Sequence, residues 1–142
     1  MQIRRTVVVD RPVGPVFDYL SDFANTTYWD PGTVSTTRSS GEGGIGTTYA
    51  NTSKFAGRET ELTYTVTEFE PNQKITLVGK NKTVTATDEM SFQQVGTGTR
   101  VDYVASFEFA GVIKLLAPLM SPAMKKLGDE AEQGMRSALE RL

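Results

Sequence analysis

The chain has no cysteine and no histidine among its 142 residues. The first absence removes a disulfide framework, a thiol nucleophile and a thiolate metal site; the second removes the commonest metal ligand and the commonest general base. Together they exclude most familiar catalytic constellations, and no metal or other cofactor is expected. Basic residues are not in surplus: 15 Lys and Arg stand against 17 Asp and Glu, a formal charge of −2, which gives no electrostatic case for nucleic acid. No apolar run approaches the ~20 residues that span a bilayer; the densest, residues 109–120, is interrupted by Lys114. The N-terminus, Met1-Gln2-Ile3-Arg4-Arg5, does not lead into the apolar core of a signal peptide. A cytoplasmic location without stable membrane insertion is therefore the expectation.

What is present reads as a single domain, residues 1–142. The length is enough to bury a core, and 38% hydrophobic with 23% charged residues is ordinary for a globular chain. Residues 3–9 alternate, with Ile3, Arg5, Val7 and Val9 on one side and Arg4, Thr6 and Val8 on the other, and predict a first strand. Arg5 is the odd member of the apolar face. After Pro12, the helical spacing of Val16, Phe17, Leu20 and Phe23 predicts a short helix, and Ser21 and Asp22 can cap a second one leading to Trp29-Asp30-Pro31.

Strand patterns follow at 34–38, 47–54, 58–69, 74–78, 83–95 and 99–109, separated by turn-forming clusters. Alternation places Leu62, Tyr64 and Val66 on one face of their strand, and Val84, Ala86, Asp88, Met90 and Phe92 on one face of another. Val101, Tyr103, Ala105, Phe107 and Phe109 share a face in the last. Asp88 is thus a carboxylate among apolar neighbours, where it would have a raised pKa and could act as an acid or base, unless it sits at a bulge or pairs with Arg5 or Arg58. Gly41-Glu42-Gly43-Gly44-Ile45-Gly46 matches the spacing of a dinucleotide fingerprint, but a strand pattern follows where that motif needs a helix, so a hairpin loop is expected.

Residues 112–142 predict one long amphipathic helix, either kinked at its prolines or beginning at a Ser121-Pro122 cap. At about 100° per residue, Met120, Ala123, Met124, Ala131, Gly134, Met135, Ala138 and Leu142 fall with Leu127 in one arc. Four of these are small. They either leave a space against the sheet or let the helix approach it closely. The order of elements is an α+β architecture with an antiparallel sheet.

That order, with Val16-Phe17-Asp18-Tyr19-Leu20-Ser21-Asp22, Trp29-Asp30-Pro31, Gly46, Val66-Thr67-Glu68-Phe69-Glu70-Pro71 and Gly98-Thr99-Arg100-Val101, resembles the START-like, or SRPBCC, superfamily, and within it the polyketide cyclase/dehydrase group of bacterial proteins. The resemblance covers essentially the whole chain. It implies a helix-grip fold, a curved seven-stranded antiparallel sheet around the C-terminal helix, with two short helices between the first two strands. It also implies a deep cavity for lipids, sterols, polyketides or other hydrophobic small molecules. No catalytic motif transfers residue by residue. Mapped through the alternation, the cavity would be lined by Trp29, Tyr49, Tyr64, Asp88, Met90, Tyr103 and Phe107 from the sheet side and by Met124, Leu127, Ala131 and Met135 from the helix.

Three functions fit these features: binding of a hydrophobic small molecule, cyclase/dehydrase catalysis with Asp88, Tyr64 or Tyr103 moving a proton, and recognition of another protein through a filled core. The apolar segment 112–120 covers the cavity mouth, meets a second subunit in a homodimer, touches a membrane during ligand exchange, or is buried against the short helices.

Overall fold

The alternation of the first strand decides where the last helix lies. Ile3, Val7 and Val9 are buried on one face of β1 (Gln2–Val9), and that face receives the C-terminal helix. A computed structural model describes residues 1–55, 57–111 and 113–142; within these, the side chains of Ile113, Leu116 and Ala117 are not described. After β1 come α1 (Val13–Ser21), a 3-10 turn (Phe23–Asn25) and α2 (Thr26–Trp29). Six strands follow: β2 (Thr33–Ser40), β3 (Thr48–Phe55), β4 (Arg58–Glu70), β5 (Lys74–Lys80), β6 (Val84–Val95) and β7 (Gly98–Phe109). The chain then makes α3 (Ile113–Leu116), a second 3-10 turn (Ala117–Met120) and α4 (Ser121–Glu140).

The strands form one antiparallel sheet in the order β1-β7-β6-β5-β4-β3-β2. β2 to β7 are successive hairpin neighbours, while β1 pairs only with β7, Ile3 opposite Ala105 and Val7 opposite Val101. The curved sheet holds α4 against its concave face, which is the helix-grip arrangement. At one end of that face the core is solid: Phe17 of α1 packs edge-on against Phe69 at 5.4 Å and Phe92 at 5.1 Å. α2 is fastened to the far edge of the sheet by a buried polar cluster, in which the Thr26 and Thr36 hydroxyls are 2.7 Å apart and Asn51 Nδ2 donates to Thr36 Oγ1 at 2.8 Å.

Of the two starts the sequence offers for the long helix, the later is taken: it runs from Ser121, because Pro118 and Pro122 cannot supply helical N–H groups, and Pro122 sits in the first turn, where none is needed. Its cap and its buried face differ from expectation. Ser121 is the first helical residue and not the cap, which is Met120. The buried face is also rotated from the arc centred on Leu127. It comprises Met124, Gly128, Ala131, Met135, Ala138 and Leu139, whereas Leu142 is exposed.

The rotation follows from how closely the helix approaches its neighbours. A Cβ on Gly128 would lie 2.5 Å from Ile3 Cγ2, and one on Gly134 would overlap the Trp29 carbonyl oxygen outright. Arg5, the charged member of the inner face of β1, reaches past this contact to Asp129 at 2.9 Å and Glu132 at 3.8 Å and donates to the Lys125 carbonyl oxygen at 3.3 Å. An ion pair thereby closes the side of the contact.

Gly134→Ala should lose about 1–3 kcal/mol in urea unfolding despite alanine's better helix propensity, because a backbone carbonyl cannot yield to the new methyl. Gly128→Ala meets side-chain atoms, the Ile3 Cγ2 methyl and the Arg5 guanidinium, which can give where a carbonyl cannot, and should lose less than Gly134→Ala, about 0.5–1.5 kcal/mol. Equal losses would contradict this account of the packing.

Candidate functional site

The sheet and α4 separate at the end away from α1. There they enclose about 120 Å³ of free space, open at one side to solvent. One buried water needs only ~10–15 Å³, so the space exceeds what a single water would occupy. Its walls are apolar: Ile3, Leu62, Ala105 and Phe107 from the sheet, and Met124, Leu127 and Ala131 from the helix. Its polar groups include Asp30, Tyr64, Asp88 and Tyr103, with Lys54, an exposed residue, at the rim.

Seven of the residues expected from the sequence meet around this space: Tyr64, Asp88, Tyr103 and Phe107 with Met124, Leu127 and Ala131. Trp29, Tyr49, Met90 and Met135 do not reach it. They are on the inward faces as read, but they belong to the solid part of the core, each 2% exposed or less. Alternation tells which face a residue occupies, not how far along the strand the hollow extends. Trp29 stands edge-on to Tyr103 with ring centroids 6.0 Å apart, behind the cavity wall.

Asp30, Lys54, Phe55, Val84 and Phe109 line the space and were not foreseen. For Asp30 the available signal was the Trp29-Asp30-Pro31 sequence itself, which reads more readily as a turn. The side chain indeed makes that turn: Oδ1 accepts from Gly32 N at 3.0 Å and Oδ2 from Thr33 Oγ1 at 3.1 Å. In doing so it carries a carboxylate to the edge of the cavity.

Each polar side chain is held by its own strand register. Asp88 sits in regular pairing opposite Leu77 and Ala105, with no bulge. Its Oδ2 accepts from the Tyr103 hydroxyl at 3.0 Å. Tyr64 lies opposite Gly79, and a Cβ there would come within 2.7 Å of the phenol ring, so the glycine makes room for the ring to lie across the neighbouring strand.

Neither arginine weighed as a partner for Asp88 serves as one. Arg5 is committed to α4, and Arg58 is an exposed residue at the start of β4. Burial therefore pushes the Asp88 carboxyl up to about 7; the Tyr103 hydrogen bond opposes this, and the charge of Asp30 adds to it. Asp30 is raised by burial too, against the hydrogen bonds from Gly32 and Thr33. Burial and the two carboxylates hold the Tyr64 and Tyr103 phenols well above their ordinary range, so both keep their protons at neutral pH. The chemistry on offer is a proton that Asp88 can take or give near neutrality, beside two phenolic donors.

Other motifs fall away from this site. The glycine-rich loop 41–46 leads into β3 and no helix, so it offers no helix N-terminus to a phosphate. Among the described residues, no three carboxylates converge as a metal site would require, and no helix is long and apolar enough to cross a membrane. Within 112–120, Leu115 and Leu119 are about four-fifths exposed and so are not buried against the short helices; Val112 and the side chains of Ile113, Leu116 and Ala117 lie outside the described residues.

A family model described as polyketide cyclase / dehydrase and lipid transport matches residues 1–142. Among solved structures, the chain is similar to the Zhui aromatase/cyclase of Streptomyces sp. R1128, with a TM-score of 0.83 and 16% identity over 99% of this chain and 94% of that one. It is similar to TTHA0849 of Thermus thermophilus, with a TM-score of 0.81 and 16% identity over 96% and 95% of the two chains. A START superfamily protein of Mycobacterium smegmatis follows at 0.74 and 17% identity over 98% and 94%. At these identities the likeness is one of fold. No curated protein matches the chain.

The Asp88 carboxyl makes stability depend on pH in a definite direction. Its folded value, about 7, lies above the ordinary 3.8, so the folded chain holds this proton more tightly than the unfolded one. Its contribution is complete below about pH 4 and is lost as pH rises to about 7, by roughly 4 kcal/mol at ~1.4 per pH unit. Asp88→Asn should remove this loss. Thermal melts at about pH 5 and pH 8 should show Tm falling less in the variant than in the parent; parallel falls would place the proton elsewhere.

Proposed function

The chain belongs to the polyketide cyclase / dehydrase and lipid transport family, and on that premise we propose that it binds a hydrophobic small molecule between its sheet and α4. The observation that carries the reading is the apolar cavity of about 120 Å³ closed over by Met124, Leu127 and Ala131. Phe17 packs edge-on against Phe69 and Phe92 at one end of the sheet, while the opposite end is left hollow. A protein-interaction module with a filled core would not be expected to keep such a space.

A second reading, cyclase- or dehydrase-type catalysis, is favoured by one particular pair. Asp88, with a proton affinity near neutral, accepts a hydrogen bond from Tyr103 at the wall of the same cavity. A folded, flexible carbonyl substrate could lose a proton to Asp88 while a phenol supports the oxygen that gains charge. In an enzyme of this kind Asp88→Asn would lower kcat about 100-fold or more and leave KM within a few-fold. A pure binding protein would show no turnover to lose.

The binding reading is tested by native mass spectrometry of the purified chain, followed by titration with the neutral apolar fluorophore N-phenyl-1-naphthylamine. Saturable one-site binding is expected. Ala131→Leu, which fills part of the cavity from the helix side, should weaken it at least tenfold, about 1.4 kcal/mol. Unchanged affinity in that variant would sink the cavity reading. A molecule carried through purification at near-stoichiometric amount would identify the chemical class directly.

A further inference from the structure

The cavity is lopsided in its polar chemistry. Asp30, Asp88, Tyr64 and Tyr103 supply two carboxyls and two phenols, and Lys54 at the rim is the one basic residue among the described residues that line it. Tyr103 already spends its proton on Asp88 Oδ2, and both oxygens of Asp30 accept bonds from the turn that follows α2. What is left unmatched is specific. Asp88 and Tyr64 are each 6% exposed, yet among the described residues neither Asp88 Oδ1 nor the Tyr64 hydroxyl has a hydrogen-bond partner. Both residues line the cavity, which leaves Asp88 Oδ1 and the Tyr64 hydroxyl available to a molecule that enters it.

We infer that this wall selects the polar end of the ligand: the cavity takes an apolar molecule ending in a primary amine and discriminates against one ending in a carboxylate. The inference rests on the cavity being a ligand site, as proposed above. An ammonium group presents three donors and no acceptor, which matches the free carboxylate oxygen of Asp88; the Tyr64 hydroxyl accepts from an ammonium and donates to a carboxylate alike, so the preference is set by the carboxyls. The ammonium also brings positive charge to two carboxyls that have no cation beside them. A carboxylate in the same place would add a third negative group in a low-dielectric pocket, where like charges repel strongly. Lys54 does not reverse this preference, since it lies at the solvent-exposed rim, where its field is screened.

Three probes of one shape separate the possibilities: 2-naphthylmethylamine, 2-naphthylmethanol and 2-naphthoate, each titrated calorimetrically into the full chain at about pH 8, where Asp88 is ionised and the amine is still largely protonated. The amine is expected to bind at least roughly tenfold more tightly than the carboxylate. Asp88→Asn should lower that ratio at least about threefold, the Asp30 carboxyl accounting for what is left, while Tyr64→Phe should leave it within about twofold, which separates loss of the carboxyl from a general disturbance of the cavity. A ratio near one or inverted in the parent, with the alcohol still bound, overturns the preference for an amine and leaves the cavity reading standing. A ratio that survives Asp88→Asn overturns the assignment to Asp88. Failure of all three probes to bind overturns the cavity reading itself, and this inference with it.

Discussion

How closely α4 can lie over the sheet is the constraint on which the other features depend. Two glycines set it: without a side chain at 134 the helix accepts the carbonyl oxygen of Trp29, and without one at 128 it settles onto Ile3 and Arg5. A straight helix held at those points against a curved sheet cannot follow the curve at both ends. At one end α1 inserts Phe17 between Phe69 and Phe92 and fills the gap. At the other, Ala131 offers too little side chain to fill it, and the gap persists as the cavity. Close packing and hollow space are two results of the same small-residue helix face, at different turns.

The cavity wall goes against the usual rule that buried charges are paired. Asp88 has a phenol where a guanidinium would be the stabilising partner, and Arg5, on the inner face of β1, is paired with Asp129 and Glu132 of α4. The arrangement is held by its surroundings. Asp88 sits in the sixth strand of a regular ladder, Tyr64 lies over Gly79, and Asp30 is fixed by two hydrogen bonds within its own turn. Local choices that run against stability while their neighbours conform to every packing rule are a common mark of a site kept for function.

Much of this was legible in the sequence, for reasons that can be named. Period-two alternation in β4, β6 and β7 placed Tyr64, Asp88 and Tyr103 on inward faces, and the register then brought them together. Alternation has no coordinate along the strand, so it did not separate Met90, two pairs beyond Asp88 and fully buried, from Asp88 itself. The helix was read with the right character and the wrong phase. Gly128 counts as neither apolar nor large in a pattern search, yet the contact it permits with β1 turns the helix so that Leu139 is buried; Leu142 lies past the end of α4 at Glu140 and is exposed. Asp30 was missed because its backbone role hid its side chain: an Asp before Pro-Gly satisfies every expectation for a turn, and nothing in the local pattern announces that the turn abuts a hollow.

The pairing of β1 with β7 also bears on how the chain is made. The first strand has no partner other than one whose residues lie about a hundred positions later, with Gln2 opposite Ser106 and Val9 opposite Thr99. At ~5–20 residues per second of synthesis, the apolar face formed by Ile3, Val7 and Val9 waits several seconds on the ribosome before β7 emerges to pair with it. The strands from β2 to β7 can zip together hairpin by hairpin in the meantime. The strand that leads the sheet in sequence can therefore be placed in it only after the strand that ends it has been made.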